Sequence, residues 1–158
     1  MGKTLVAYFS ASGVTGKIAE RIAEALGADI FQIKPAEEYT LADLNWNDSK
    51  SRSSLEMNDK SSRVAIAEKV SDMASYDRII IGYPIWWGVA PHIINSFLES
   101  YDLSGKTIIP FASSGGSGIG NTDGYLGDSV KGGNLMKGRL LKVTSSKDEI
   151  KDWLDGIG

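Results

Sequence analysis

Apolar positions along this chain follow two rhythms. TLVAYF (Thr4–Phe9) and RIIIGY (Arg78–Tyr83) are short continuous apolar runs, the pattern of strands covered on both faces of a sheet. DIFQIK (Asp29–Lys34), closed by Pro35, and KTIIPFA (Lys106–Ala112) read as two more strands, although Pro110 removes one ladder donor from the latter. Between them the spacing turns helical. Ile18, Ala19, Ile22, Ala23 and Leu26 predict a helix over 14–26 that Gly27 ends in a left-handed cap. Val64, Ile66, Ala67, Val70 and Met73 predict a second amphipathic helix, and Pro91 opens a third with Ile93, Ile94, Phe97, Leu98 and Tyr101 on one side. Towards the end the chain predicts a short helix within Asn121–Val130 and a last strand between Asn134 and Val143. A final helix carries Ile150, Trp153, Leu154 and Ile157, opened by a capping box of Ser146 and Glu149. Only Ala36–Ser62 lacks periodicity, and a connection of that length is either a cover over a site or a variable decoration.

Strand and helix thus alternate through the chain, which forces parallel pairing with helices on both faces. The expected fold is α/β, a three-layer doubly wound five-stranded parallel sheet. In such sheets ligands settle at the carboxyl ends of the strands, where three loops lie. The first, SASGVTG (Ser10–Gly16), leads into a helix N-terminus whose free N–H groups and dipole favour an anion. Ser10, Ser12 and Thr15 add hydroxyls and Gly13 lets the backbone approach, so a phosphate is the natural guest; a plain helix cap by Ser12 or Thr15 is the alternative. A nucleoside-triphosphate loop does not fit, because Ile18 follows Gly16 and Lys17 where a magnesium-binding hydroxyl belongs. The dinucleotide glycine pattern fails too, since Gly115, Gly116, Gly118 and Gly120 have other spacings and follow the fourth strand.

The second loop, YPIWWGVAP (Tyr83–Pro91), puts Trp86 and Trp87 at the end of a buried strand, where a flat heteroaromatic ligand would cover an indole face. The third, from Ser113 to Thr122, offers small residues whose backbone can approach a ligand edge. His92, alone at a helix start, reads as a surface residue and not as an acid or base.

Composition narrows the field of partners. With 158 residues the chain suits one domain over 1–158, and a formal charge of -3 supplies no field for nucleic acid or an anionic membrane. The absence of cysteine removes disulfides and thiolate chemistry. No apolar run approaches the roughly 20 residues of a membrane span. Only Met1–Thr4 precede the first apolar run, so no cleavable signal is expected and the expected location is cytoplasmic.

A phosphate loop, an aromatic loop and a glycine loop in this order resemble the flavodoxin family over essentially the whole chain. The resemblance implies the strand order 2-1-3-4-5 and FMN as cofactor. It assigns Ser10, Ser12, Gly13, the N–H of Val14 and Thr15 to the FMN phosphate. It places Pro84, Ile85 and Trp86 against the isoalloxazine, with Trp87 and Gly88 beside it. Ser113, Ser114, Gly115 and Gly116 match the third loop in position and small-residue character, without the aromatic that usually covers the outer flavin face; Trp46 or Tyr125 could supply that cover. The resemblance implies an electron-transfer carrier cycling through flavin semiquinone and hydroquinone between redox partner proteins, as a monomer or weak dimer. An uncovered flavin face and a mild charge also suit an NAD(P)H-dependent FMN oxidoreductase that reduces quinones. A flavin-free binding module of the same fold is the third reading.

Overall fold

The computed structural model describes residues 3–10, 13–45, 47–59, 62–85, 90–113, 126, 129–130, 132–136, 138–142 and 144–157. Its elements are β1 (Lys3–Tyr8), α1 (Val14–Leu26), β2 (Asp29–Gln32), α2 (Arg52–Asn58), β3 (Tyr76–Pro84) and α3 (His92–Glu99). They continue with β4 (Thr107–Ser113), β5 (Asn134–Leu135), β6 (Arg139–Leu140) and α4 (Lys147–Ile157). Pairing is parallel throughout, and the order is β2-β1-β3-β4-β5 with β6 also on β4. This is the order that the flavodoxin resemblance implies.

Alternation along the central strands explains why the runs are continuous. Leu5, Ala7, Ile79, Ile81 and Ile108 face one core with Ile93, Ile94, Phe97 and Leu98 of α3. Val6, Ile80, Ile109 and Phe111 face a second core with Ile18, Ala19 and Ile22 of α1 and with Ile150 and Leu154 of α4. Each of these strand residues therefore packs into one helical layer or the other, which leaves no polar alternation among them. Gly27 takes φ 64° as the cap of α1, with Ala28 N–H on Ala23 C=O. Ser146 accepts the N–H of Glu149 at 3.1 Å, one arm of the expected capping box.

Three expectations need correction. No helix forms over 64–73: that stretch is irregular, bridged antiparallel to Pro35 at Ile66, with a bend, a turn and one 3-10 turn at Met73–Ser75. Its backbone is engaged elsewhere. Ala65 C=O accepts from Ala36, Ala67 N–H donates to Lys34 C=O, Val64 N–H to Ser96 Oγ and Val70 N–H to Tyr101 Oη. Val64 and Met73 still reach the core, so the apolar residues do their packing without the helix. Conversely, the aperiodic stretch contains α2, whose buried face is made of Ser53 and Ser54 and whose start is capped by Ser51; hydroxyl residues hide an inward stripe from any apolar count. The final strand is split in two. Ile108 and Ala112 offer their carbonyls to the fifth-strand side, taking Met136 N–H and Leu141 N–H, so Pro110 between them faces that side as well. Its missing donor falls opposite the break between β5 and β6. Of the expected helix in Asn121–Val130 only Leu126, Ser129 and Val130 are among the described residues.

Gly82 of β3 lies beneath the Phe111 ring of β4, where a Cβ would stand 2.1 Å from Phe111 Cζ. Gly82→Ala is expected to lower stability by about 1–3 kcal/mol by overpacking, read from the urea midpoint. Adding Phe111→Leu should return part of that loss, whereas backbone strain at residue 82 would give no such rescue.

Candidate functional site

The carboxyl end of β1 turns into α1 through a left-handed residue, Gly13, at φ 91°. Gly13 N–H donates to Ser10 Oγ at 3.0 Å, and the first helical bond runs from Lys17 N–H to Gly13 C=O. No side chain caps this helix, and no acceptor among the described residues takes the N–H of Val14, Thr15 or Gly16. Three unpaired donors at a helix start form an anion cradle. Gly16 also lets the loop lie flat on β1, since a Cβ there would come within 3.2 Å of the Tyr8 ring.

Thr15 does not serve as a cap either. Its hydroxyl lies 2.7 Å from Ser113 Oγ at the end of β4, and both residues are buried. Ser113 C=O in turn accepts Ile85 N–H at 3.0 Å, with Pro84 paired in register to Ser113. The structure therefore brings Ser10, Gly13, Val14, Thr15, Pro84, Ile85 and Ser113 to one edge of the sheet. Ser12, Trp86, Trp87, Gly88, Ser114, Gly115 and Gly116, like Trp46 and Tyr125, lie outside the described residues.

Beside the loop, towards β2, a cleft of about 200 Å³ is lined by Phe9, Ser10, Gln32, Lys34, Glu38 and Tyr39 among others. Tyr39 forms its fixed wall. The ring packs on Phe9 at 5.7 Å, lies under the Arg52 guanidinium at 4.0 Å, and its hydroxyl donates to Glu56 Oε1. Burial first, and then the bond to the Glu56 carboxylate, raise the Tyr39 pKa well above the ordinary phenol range, so the hydroxyl stays a donor. Arg52 closes the triangle through its ion pair with Glu56 at 3.0 Å. The connection after β2 is thus folded onto the rim of the site. Nothing in its polar sequence signals this, because its anchors are one tyrosine and one i,i+4 charge pair.

The family profile named Flavodoxin matches residues 3–157. The chain belongs to the flavodoxin family. Among solved structures, this chain resembles a flavoprotein from Bacteroides eggerthii DSM 20697, with TM-score 0.94 and 50% identity, covering 99% of this chain and 98% of that one. A second, from Bacteroides uniformis ATCC 8492, has TM-score 0.91, 51% identity and 98% coverage of both chains. A flavoprotein in complex with FMN from Lactobacillus acidophilus NCFM shares the fold at TM-score 0.68 and 21% identity, covering 98% and 99%. No curated protein matches this chain. Among its described residues no helix is long and apolar enough to cross a membrane.

His92 departs from the surface position expected of it: it is 2% exposed at the start of α3, packed beneath the connection. Its neighbours fix the tautomer. Ser62 Oγ gives its one proton to Glu56 C=O at 2.6 Å, so His92 Nδ1–H must donate to Ser62 Oγ at 2.7 Å. His92 therefore cannot act as a base on Ser62, and the contact is a tether. Burial lowers the His92 pKa, and Arg63 lowers it further, against weaker opposing effects of Glu56 and Asp59. With the folded pKa below the ordinary value, the unfolded chain binds a proton that the folded chain refuses. Stability should fall as pH drops below about 6.5 towards the lowered pKa. In thermal melts between pH 7.5 and 5, wild type should lose more Tm than His92→Gln; equal losses would show that this histidine does not titrate on unfolding.

Proposed function

We propose that this chain holds FMN across the carboxyl edge of its sheet and carries electrons between redox partner proteins. The observation that carries the reading is the start of α1: three amides without acceptors among the described residues, a left-handed glycine and the Ser10 hydroxyl suit a phosphomonoester. Family membership and the FMN complex of the Lactobacillus protein support the choice of flavin. Bound FMN supplies the redox chemistry, and the chain's residues hold and orient it.

In this reading the N–H groups of Val14, Thr15 and Gly16, with the hydroxyls of Ser10, Ser12 and Thr15, take the phosphate. Pro84, Ile85, Trp86, Trp87 and Gly88 flank the ring from the loop after β3, and the backbone of Ser114, Gly115 and Gly116 meets its edge. The fixed Tyr39 wall keeps the connection from collapsing onto the phosphate loop. Among the loop residues from Ser113 to Gly116 none is aromatic, which suits the alternative of an NAD(P)H-dependent oxidoreductase whose flavin face admits a nicotinamide and then a quinone.

FMN should raise Tm, since a ligand held only by the folded state at 100 times its Kd stabilises by about 2.7 kcal/mol. The reading is then tested by anaerobic absorbance titration of FMN-loaded protein with dithionite and, separately, with NADPH. A carrier takes up electrons in two resolved steps from dithionite and does not respond to NADPH within minutes. Rapid bleaching by NADPH would assign the oxidoreductase role, and no FMN-dependent rise in Tm would remove the flavin altogether.

A further inference from the structure

Thr15 and Ser113 stand 98 positions apart in the chain, yet their hydroxyls meet at 2.7 Å with both residues almost wholly buried, at 2% and 5% exposure. Neither hydroxyl has a further hydrogen-bond partner among the described residues. Each carries one proton and can accept two. A pair that shares one bond therefore leaves one proton without an acceptor, on Thr15 if Ser113 donates and on Ser113 if Thr15 donates. As the protein stands, either direction is open. An acceptor-only anion seated on the free N–H groups of α1 removes the choice, because it takes the Thr15 proton and Ser113 must then donate to Thr15.

We infer that Ser113 is a positioning residue for phosphate recognition, acting through Thr15 as the first member of a directed chain from Ser113 to Thr15 to the phosphate. This rests on the reading that the loop after β1 holds a phosphate group. Among the described residues the leftover buried proton has no acceptor, the anion supplies one, and the shared bond fixes the Thr15 rotamer beforehand. Hydrogen bonds in series also polarise one another, so the Thr15 hydroxyl is a better donor when Ser113 donates to it. Ser113 has a second task on the same residue, for its carbonyl holds Ile85 N–H at 3.0 Å. The end of β4 thereby ties the phosphate loop by its side chain and the aromatic loop by its backbone. A side chain that the fold places beyond the first turn of α1 thus sets the preference for a phosphorylated ligand over its dephosphorylated counterpart.

The test compares binding of FMN and of riboflavin by fluorescence quenching in wild type, Ser113→Ala, Ser113→Thr, Thr15→Val and the Thr15→Val/Ser113→Ala pair. Tm of the ligand-free proteins, with and without inorganic phosphate, is the readout independent of flavin. Ser113→Ala should lower FMN affinity about three- to tenfold with riboflavin affinity unchanged. It should also reduce the phosphate-dependent rise in Tm, and Ser113→Thr should restore both. In the Thr15→Val background, Ser113→Ala should have no further effect on the FMN-to-riboflavin ratio. Equal loss of both flavins in Ser113→Ala would reduce the residue to packing and overturn the inference while leaving the phosphate site standing. A wild type that binds FMN no better than riboflavin, with no response to phosphate, would overturn the phosphate reading and this inference together.

Discussion

Strand β3 pairs on one side with β1 and on the other with β4, and Ile79, Ile80 and Ile81 are completely buried as they alternate between the two faces. Every other part of the molecule takes its place from that ladder. The α1 and α4 helices cover one face and α3 the other, so the loops leaving β1 and β3 open towards opposite layers and leave a crevice between them. The bond from Phe9 N–H to Gly82 C=O extends the ladder past the last paired residue of β1, which sets the height at which the loop into α1 begins. A glycine at 82 is what allows the Phe111 ring to lie flat across the strand at that level.

The central sheet was legible because its signal is local. Leu5, Val6 and Ala7, like the three isoleucines, follow one another with no polar residue between them, the pattern of a strand covered on both faces. Helix α1 was legible for the same reason, with a stripe at one spacing and Gly27 at its end. The stretch 64–73 misled because Val64, Ile66, Val70 and Met73 sit at spacings that suit both a helix and an extended chain touching the core intermittently. The deciding facts are partners supplied by distant residues, Lys34, Ser96 and Tyr101. His92 misled because a lone polar residue after Pro91 looks exposed until Ser62, thirty residues earlier, comes to lie on it.

The site divides along the same line. Its first loop stands out in the sequence as hydroxyls and a glycine between a strand and a helix, and the structure has a left-handed Gly13 there, followed by amides with no acceptor among the described residues. What spacing could not reveal is how the loops are joined. The hydroxyl pair of Thr15 and Ser113 and the wall made by Phe9, Tyr39, Arg52 and Glu56 both join segments far apart in the chain. Tyr39 and Arg52 in particular sit in a connection whose composition resembles solvent-exposed chain, and their role follows only from the ring contact on Phe9.

The break in the last strand has a consequence for how the molecule meets its neighbours. A parallel sheet ends on each side in a row of unpaired amides and carbonyls onto which another polypeptide can add. Here one margin is β5 and β6, two pieces of two residues each interrupted opposite Pro110, and the other is the four-residue β2, in which Asp29, Ile30 and Gln32 are exposed. Among the described residues neither offers a long, straight, apolar template. The proline that weakens the interior of the sheet therefore also protects its border, leaving intermolecular strand addition without a place to start.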